Sequence, residues 1–125
     1  MAYLSAKDLL ARKGAIQERN EERFVVSLNE DDLLFRVPTR GDIADSQNYA
    51  SDGTRADEYL IYSTILEPDL RDPALQKEFL DKNADPVDIV GAIFRPGEVQ
   101  TMAQLIMEQA GYFNDDVKVR KEVKN

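Results

Sequence analysis

An alternation of apolar and polar residues near the start of the chain predicts a β-hairpin. Every second position from Phe24 to Leu28 and again from Leu33 to Val37 is apolar, which gives each strand one apolar face. Between the two runs lie the four polar residues 29–32, which we expect to form the turn. Pro38 has no backbone N–H to donate to a strand ladder, so the second strand should stop before it. The pattern therefore places a hairpin over residues 22–38.

After the hairpin, apolar side chains recur at helical spacing and predict about four short helices over residues 39–112. Polar capping residues and prolines mark where helices begin, at Thr39, Thr54, Asp72–Pro73, Asp85–Pro86 and Pro96. The helix from Thr54 should continue as far as Pro68. The last strong helix should end near Gln109, with Gly111 as its C-terminal stop.

The two ends of the chain are predicted to flank one domain. Ser5 can cap a short helix that Gly14 should end, so we expect residues 1–20 to form an N-terminal helix or arm. Residues 113–125 are predicted to form a flexible charged tail, or a strand that waits for a partner. The predicted fold class is α+β, mostly α: an N-terminal β-hairpin packed on a bundle of about four short helices, in a single domain of residues 1–112.

The composition excludes most kinds of catalytic site. The 125 residues include no His and no Cys. The chain therefore lacks the side chain most used for acid–base catalysis near neutral pH, and it cannot build thiolate sites or disulfides. The acidic run Glu30–Asp32 lacks the alternating spacing and central glycine of a calcium loop. We expect a protein that is not an enzyme, with no catalytic residues, no metal site and no cofactor.

The net charge of −8 is carried by the middle of the chain. Residues 42–98 hold five basic and thirteen acidic side chains, whereas the segments on either side are balanced. Phosphate binding needs clustered Lys and Arg, so we expect no nucleic acid partner. The chain has no run of about 18 apolar residues and no apolar core of a signal near Met1, so neither a membrane partner nor secretion is expected. The acidic middle is either a solvated surface or a face toward a basic partner.

Two adjacent apolar helices offer the best candidate for a binding surface. Bulky apolar side chains lie on both arms of the predicted helix–turn–helix at residues 86–110. They can form an ordinary core, or a groove that takes an amphipathic helix of another protein. The candidate partner-binding residues are Ile89, Ile93, Phe94, Met102 and Ile106.

Two blocks of the sequence resemble a known family. The run ILEPDLRDPALQ at residues 65–76 is similar to the hydrophobic-x-P-D-L-x-D-x-x-L-Q block of the XkdN-like phage tail assembly chaperones. The run FRPGEV at residues 94–99 is similar to the L-x-P-G-E-I block of the same family. DPVDIV at residues 85–90 lies in the expected place between the blocks, and Gly111–Tyr112 closes the region much as in that family. The preceding hairpin also fits, so the resemblance spans about residues 20–112.

The resemblance implies a binding protein rather than an enzyme. Chaperones of this kind bind the long, helical tape measure protein and keep it soluble while the tail tube protein polymerises around it. The implied partners are the tape measure protein and the tail tube protein, and we add self-association as a further expectation. The implied location is the cytoplasm of the infected or lysogenic bacterial host, and the protein is not expected in the mature virion.

Two other functions stay open on the sequence alone. The net charge of −8 also suits an acidic phage-encoded inhibitor or DNA mimic, whose complexes should weaken strongly with added salt. A structural component of the tail or baseplate is compatible with the same composition, but it would persist in mature particles.

Overall fold

The alternating runs form the predicted hairpin. In the computed structural model, which describes residues 2–122, strand β1 spans Arg23–Leu28 and strand β2 spans Asp31–Arg36. Their antiparallel register pairs Phe24 with Phe35, so the two predicted apolar faces coincide. The rings of these two residues stack with their centroids 5.5 Å apart.

The turn of the hairpin is two residues long, and the predicted four-residue turn is wrong. Leu28 pairs directly with Asp31, which leaves Asn29 and Glu30 between the strands. Asn29 has a φ of 56°, the left-handed backbone that a two-residue hairpin turn requires and that Asn tolerates. The second strand therefore begins earlier than its apolar pattern indicates.

Seven helices account for most of the remaining residues that the structure describes. They are α1 (Ala6–Ala11), α2 (Lys13–Asn20), α3 (Arg40–Tyr49), α4 (Gly53–Thr64), α5 (Pro73–Phe79), α6 (Ile89–Ile93) and α7 (Pro96–Gln109), with a short 3-10 turn at Pro86–Asp88 before α6. Side-chain caps confirm the predicted helix starts at Ser5, Thr39 and Asp72. Helix α7 has its predicted bounds, and Gly111 follows it with a φ of 95°.

A third strand, β3 (Ile65–Glu67), lies where the sequence predicts the end of a helix. The predicted cap at Thr54 and the predicted end at Pro68 are both wrong. The cap of α4 is Asp52, whose side chain accepts a hydrogen bond from the Thr54 N–H, and the helix ends at Thr64. Because a proline disfavours helical backbone in the residue before it, the segment ahead of Pro68 is available for strand pairing. Its antiparallel pairing with β2 gives a sheet of order β1-β2-β3.

The N-terminal arm, residues 2–20, is built from α1 and α2. Only Arg12 separates the two helices, and Gly14 lies inside α2, so the prediction that Gly14 ends the helix is wrong. A glycine in a helix costs about 0.5–1 kcal/mol relative to alanine, which weakens a helix without breaking it. Neither helix of the arm contains a buried residue.

The core joins the inner face of the sheet to the helices. Helix α4 packs against α3 and α7 and also contacts α6. Side chains from the sheet and from these helices meet in one apolar cluster, whose fully buried members include Phe35, Ile61, Ile89 and Ile106. The predicted fold class, α+β and mostly α with a hairpin packed on helices, is confirmed.

The end of the chain lies outside this core. Residues 113–122 form neither a helix nor a strand. The division into a domain of residues 1–112 and a flexible tail of residues 113–125 stays a prediction, and Met1 and residues 123–125 lie outside the described residues. Within residues 2–122, no helix combines the length and the apolar character needed to cross a membrane.

Candidate functional site

The five predicted partner-binding residues lie mainly in the core. Ile89 and Ile106 are fully buried, and Phe94 and Met102 are also buried. Ile93 is half-buried and packs against the same cluster. Helices α6 and α7, and Phe94 in the turn between them, direct these side chains toward the core. The sequence had left a core and a groove open as alternatives for these residues. A contact between these residues and a partner stays a prediction.

An open apolar groove lies next to them, between β1 and the first three turns of α7. We call it the β1–α7 groove. Its volume is about 230 Å³, and its lining consists of Val26, Ser27, Leu28, Gly97, Glu98, Thr101, Met102 and Leu105. Met102 is the predicted residue that reaches this groove. Leu105 also lines the groove and is 36% exposed. It was not predicted as a binding residue, because its neighbour Ile106 is equally apolar in the sequence.

The start of α7 shapes one end of the groove. Pro96 occupies the first turn, and the Arg95 N–H donates a hydrogen bond of 2.9 Å to Glu98 Oε1, which fixes where the helix begins. A Cβ added at Gly97 would meet no atom within 4 Å, so the packing of the chain itself does not require glycine there. The missing side chain leaves this end of the groove open.

The size of the groove suits side chains rather than a small ligand. Pockets for small molecules measure about 300–1,000 Å³, and they enclose most of the ligand. The groove is smaller and opens to solvent along its length. A larger cavity of about 540 Å³ lies where α2, the start of α3 and the end of α7 meet, and its lining includes Arg19, Glu22 and Arg40. The β1–α7 groove is therefore the better site for apolar side chains of a peptide.

A network of charged and polar side chains, none of which lines the groove, joins α3, α4 and the turn before α6. Arg55 Nη2 lies 2.7 Å from Asp88 Oδ1, and Arg55 Nη1 lies 3.0 Å from Glu58 Oε2. The same guanidinium donates to the Tyr49 hydroxyl at 2.9 Å, and that hydroxyl in turn donates to Asp85. Because every member has a partner, the network links α3 and α4 to the turn before α6 as a structural unit.

Burial and hydrogen bonding shift pKa values in this network. Burial is the main cause that raises the pKa of the Glu58 carboxyl, although Arg55 opposes it. Burial, followed by the hydrogen bond to Asp85, raises the pKa of Tyr49 to about 12. The hydrogen bond from Tyr49 is the main cause that lowers the pKa of Asp85. Across residues 2–122, no group of three or more His, Cys, Asp or Glu side chains is arranged to hold a metal ion.

Apolar side chains are also exposed at both ends of the chain. The arm exposes Leu4, Leu9, Leu10 and Ile16, and the C-terminal segment exposes Phe113, Val117 and Val119. The two ends meet where the Tyr3 hydroxyl donates a hydrogen bond of 2.7 Å to Glu122 Oε2. These side chains show that both ends carry apolar surface that the fold itself does not cover.

A family model described as phage XkdN-like tail assembly chaperone protein matches residues 29–124. The match begins in the hairpin turn, so it includes the α7 wall of the groove and leaves out the arm. No curated protein matches the chain, and no solved structure does.

Proposed function

Because the chain belongs to the family of phage XkdN-like tail assembly chaperones, we propose that it binds the tape measure protein and keeps it soluble during assembly of the tail tube. The family prediction made from the two sequence blocks is thereby confirmed. The proposed role is binding without catalysis. The protein acts in the cytoplasm of the infected or lysogenic bacterial host and is released before the virion is complete.

The observation that carries the proposal is the β1–α7 groove. Its apolar walls include Met102 and Leu28, and Leu105 stands exposed at its rim. A long helical client presents an apolar stripe, and a groove of about 230 Å³ suits one or two side chains of such a stripe. Each contact is weak, but many copies along one client sum to a stable complex.

The charge of the chain supports the same role. Residues 42–98 carry an excess of eight acidic side chains. A client coated with many copies would gain a strongly negative surface, and like-charged particles repel one another. The apolar groove thus provides contact, and the acidic segments keep the coated client from aggregating.

The test is co-expression with the long helix-rich protein encoded next to this one in the phage genome. Leu105→Asp places a charge at the rim of the groove at a partly exposed position. Phe79→Asp is the matched control, because Phe79 is an exposed apolar side chain on α5 that does not line the groove. We expect the wild type and the control to keep the client soluble and to co-purify with it.

Leu105→Asp should weaken client binding at least about tenfold while the protein itself stays folded. Thermal unfolding of each variant measures the fold separately from the binding. If Leu105→Asp retains the client as well as Phe79→Asp does, the groove is not the binding site. If the wild type leaves the client insoluble, the proposed function itself is wrong.

A further inference from the structure

Strand β1 is an open edge of the sheet. The strand order β1-β2-β3 leaves β1 paired on one side only. The Val37 N–H donates to the Glu22 carbonyl at 3.1 Å, and hydrogen-bonded pairs alternate along an antiparallel ladder. The backbone groups of Arg23, Val25 and Ser27 therefore point away from β2. They form a row that can accept another strand.

The C-terminal segment has the pattern of such a strand. In residues 117–122, Val117 and Val119 alternate with basic side chains. The segment has neither helix nor strand, and Val119 is 97% exposed. As a strand it would present Val117, Val119 and Lys121 on one face, and Lys118, Arg120 and Glu122 on the other.

Charge complementarity links this segment to β1. Residues 117–122 carry three basic side chains and one acidic side chain. The hairpin tip at the end of β1 carries Glu30, Asp31 and Asp32, and Glu98 lines the neighbouring groove. A basic strand laid along β1 therefore meets acidic groups at one end of its path.

The chain's own tail starts on a different side of α7. Phe113 lines a cavity with Asp57, Gln104 and Met107, whereas the β1–α7 groove follows the stripe of α7 that includes Leu105. At its far end, the segment contacts the arm through the hydrogen bond between Tyr3 and Glu122. The tail thus begins beside a different stripe of α7 and ends against the arm, so we take a second copy as the donor.

We propose that the C-terminal segment of one copy adds to the free edge of β1 in a second copy, as a fourth strand. Its valines then cover the β1–α7 groove, and its backbone pairs with Arg23, Val25 and Ser27. Because donor and acceptor are different surfaces, the contact is head-to-tail and can repeat. This self-association requires no client, and a client in the groove would compete with it.

The experiment is sedimentation velocity of the full chain from about 1 to about 200 µM, a range that covers weak assembly. Ser27→Pro removes one outward N–H from the edge, where proline is tolerated, and Ser27→Ala is its matched control. Both changes remove the hydrogen bond from Ser27 to Asp32, so the two variants differ in the backbone N–H and in the proline ring. Val119→Asp tests the donor, with Phe79→Asp as the control for an added charge.

We expect the wild type and both controls to associate as concentration rises, and to associate less in high salt. Ser27→Pro and Val119→Asp should each weaken the association at least about tenfold. A wild type that stays monomeric throughout would overturn the inference. So would a Ser27→Pro variant that is folded by circular dichroism and associates as strongly as Ser27→Ala, because a side-chain contact would then suffice.

Discussion

The backbone of Gly91 lies directly against the carboxylate of Glu58. A Cβ at position 91 would stand 3.2 Å from Glu58 Oε2, and Glu58 is only 8% exposed. The same carboxylate accepts a hydrogen bond from Arg55 and forms an ion pair with it, and Arg55 also binds Asp88 just before α6. The absence of a side chain at Gly91 thus allows α6 to pack against an ion-paired carboxylate on α4.

This contact predicts that the effect of an alanine at position 91 depends on residue 58. Alanine favours a helix over glycine by about 0.5–1 kcal/mol, but here its Cβ must displace a buried carboxylate that is paired with Arg55. We expect Gly91→Ala to lower the free energy of unfolding by about 1 kcal/mol in the wild type. In a Glu58→Ala background it should raise that free energy by about 0.5 kcal/mol.

Urea denaturation of the four proteins in this cycle measures the coupling. The sign of the Gly91→Ala effect should reverse between the two backgrounds. An effect of the same sign and size in both would mean that Glu58 yields freely to the added methyl group, and that the close contact has no energetic consequence.

The features that the sequence predicted correctly are coded locally. The hydrogen bonds of the Thr39–Asp42 capping box join residues three positions apart, and Pro96 sets the start of α7 by its own geometry. β3 was missed because its pairing with β2 joins residues about thirty positions apart, which no local pattern reveals. Likewise, adjacent apolar residues on α7 could not be sorted into core and groove until the sheet gave the helix its orientation.

Leu105 and Ile106 should therefore respond differently to truncation. Ile106 is fully buried, so Ile106→Ala should lower the free energy of unfolding by about 2–5 kcal/mol. Leu105 is 36% exposed, so Leu105→Ala should lower it by less than about 1 kcal/mol. Chemical denaturation of both variants gives the comparison. Equal losses at the two positions would show that Leu105 belongs to the core and does not form a free rim.

The hairpin turn predicts a second contrast, at Asn29. Its φ of 56° suits glycine and asparagine, whereas a β-branched side chain is strained there. Asn29→Gly should change the free energy of unfolding by no more than about 0.5 kcal/mol. Asn29→Val should lower it by about 1–2 kcal/mol. Thermal melts of the two variants under identical conditions test this, and a valine variant as stable as the glycine variant would contradict the two-residue turn.

The pairing of Arg36 with Asp42 predicts how stability depends on pH. Arg36 Nη2 lies 3.0 Å from Asp42 Oδ1, and the same guanidinium nitrogen donates to the Ser63 carbonyl at 2.8 Å. The hydrogen bond from Arg36 is the main cause that lowers the pKa of Asp42 from 3.8 to about 2, and the capping hydrogen bonds of Thr39 add to it. The carboxylate thus joins the end of β2 to the start of α3 while it is ionised.

Because the folded pKa of Asp42 lies below its unfolded value, the unfolded chain binds the proton more tightly. The stabilisation is fully present above pH 3.8 and is lost as the pH falls toward about 2. Asp42→Asn should therefore be less stable than the wild type at neutral pH, and the difference should shrink over that acidic interval. Asp45→Asn, an exposed carboxylate on the same helix, is the matched control. Urea denaturation at a series of pH values would contradict the assignment if the two variants lost stability in parallel.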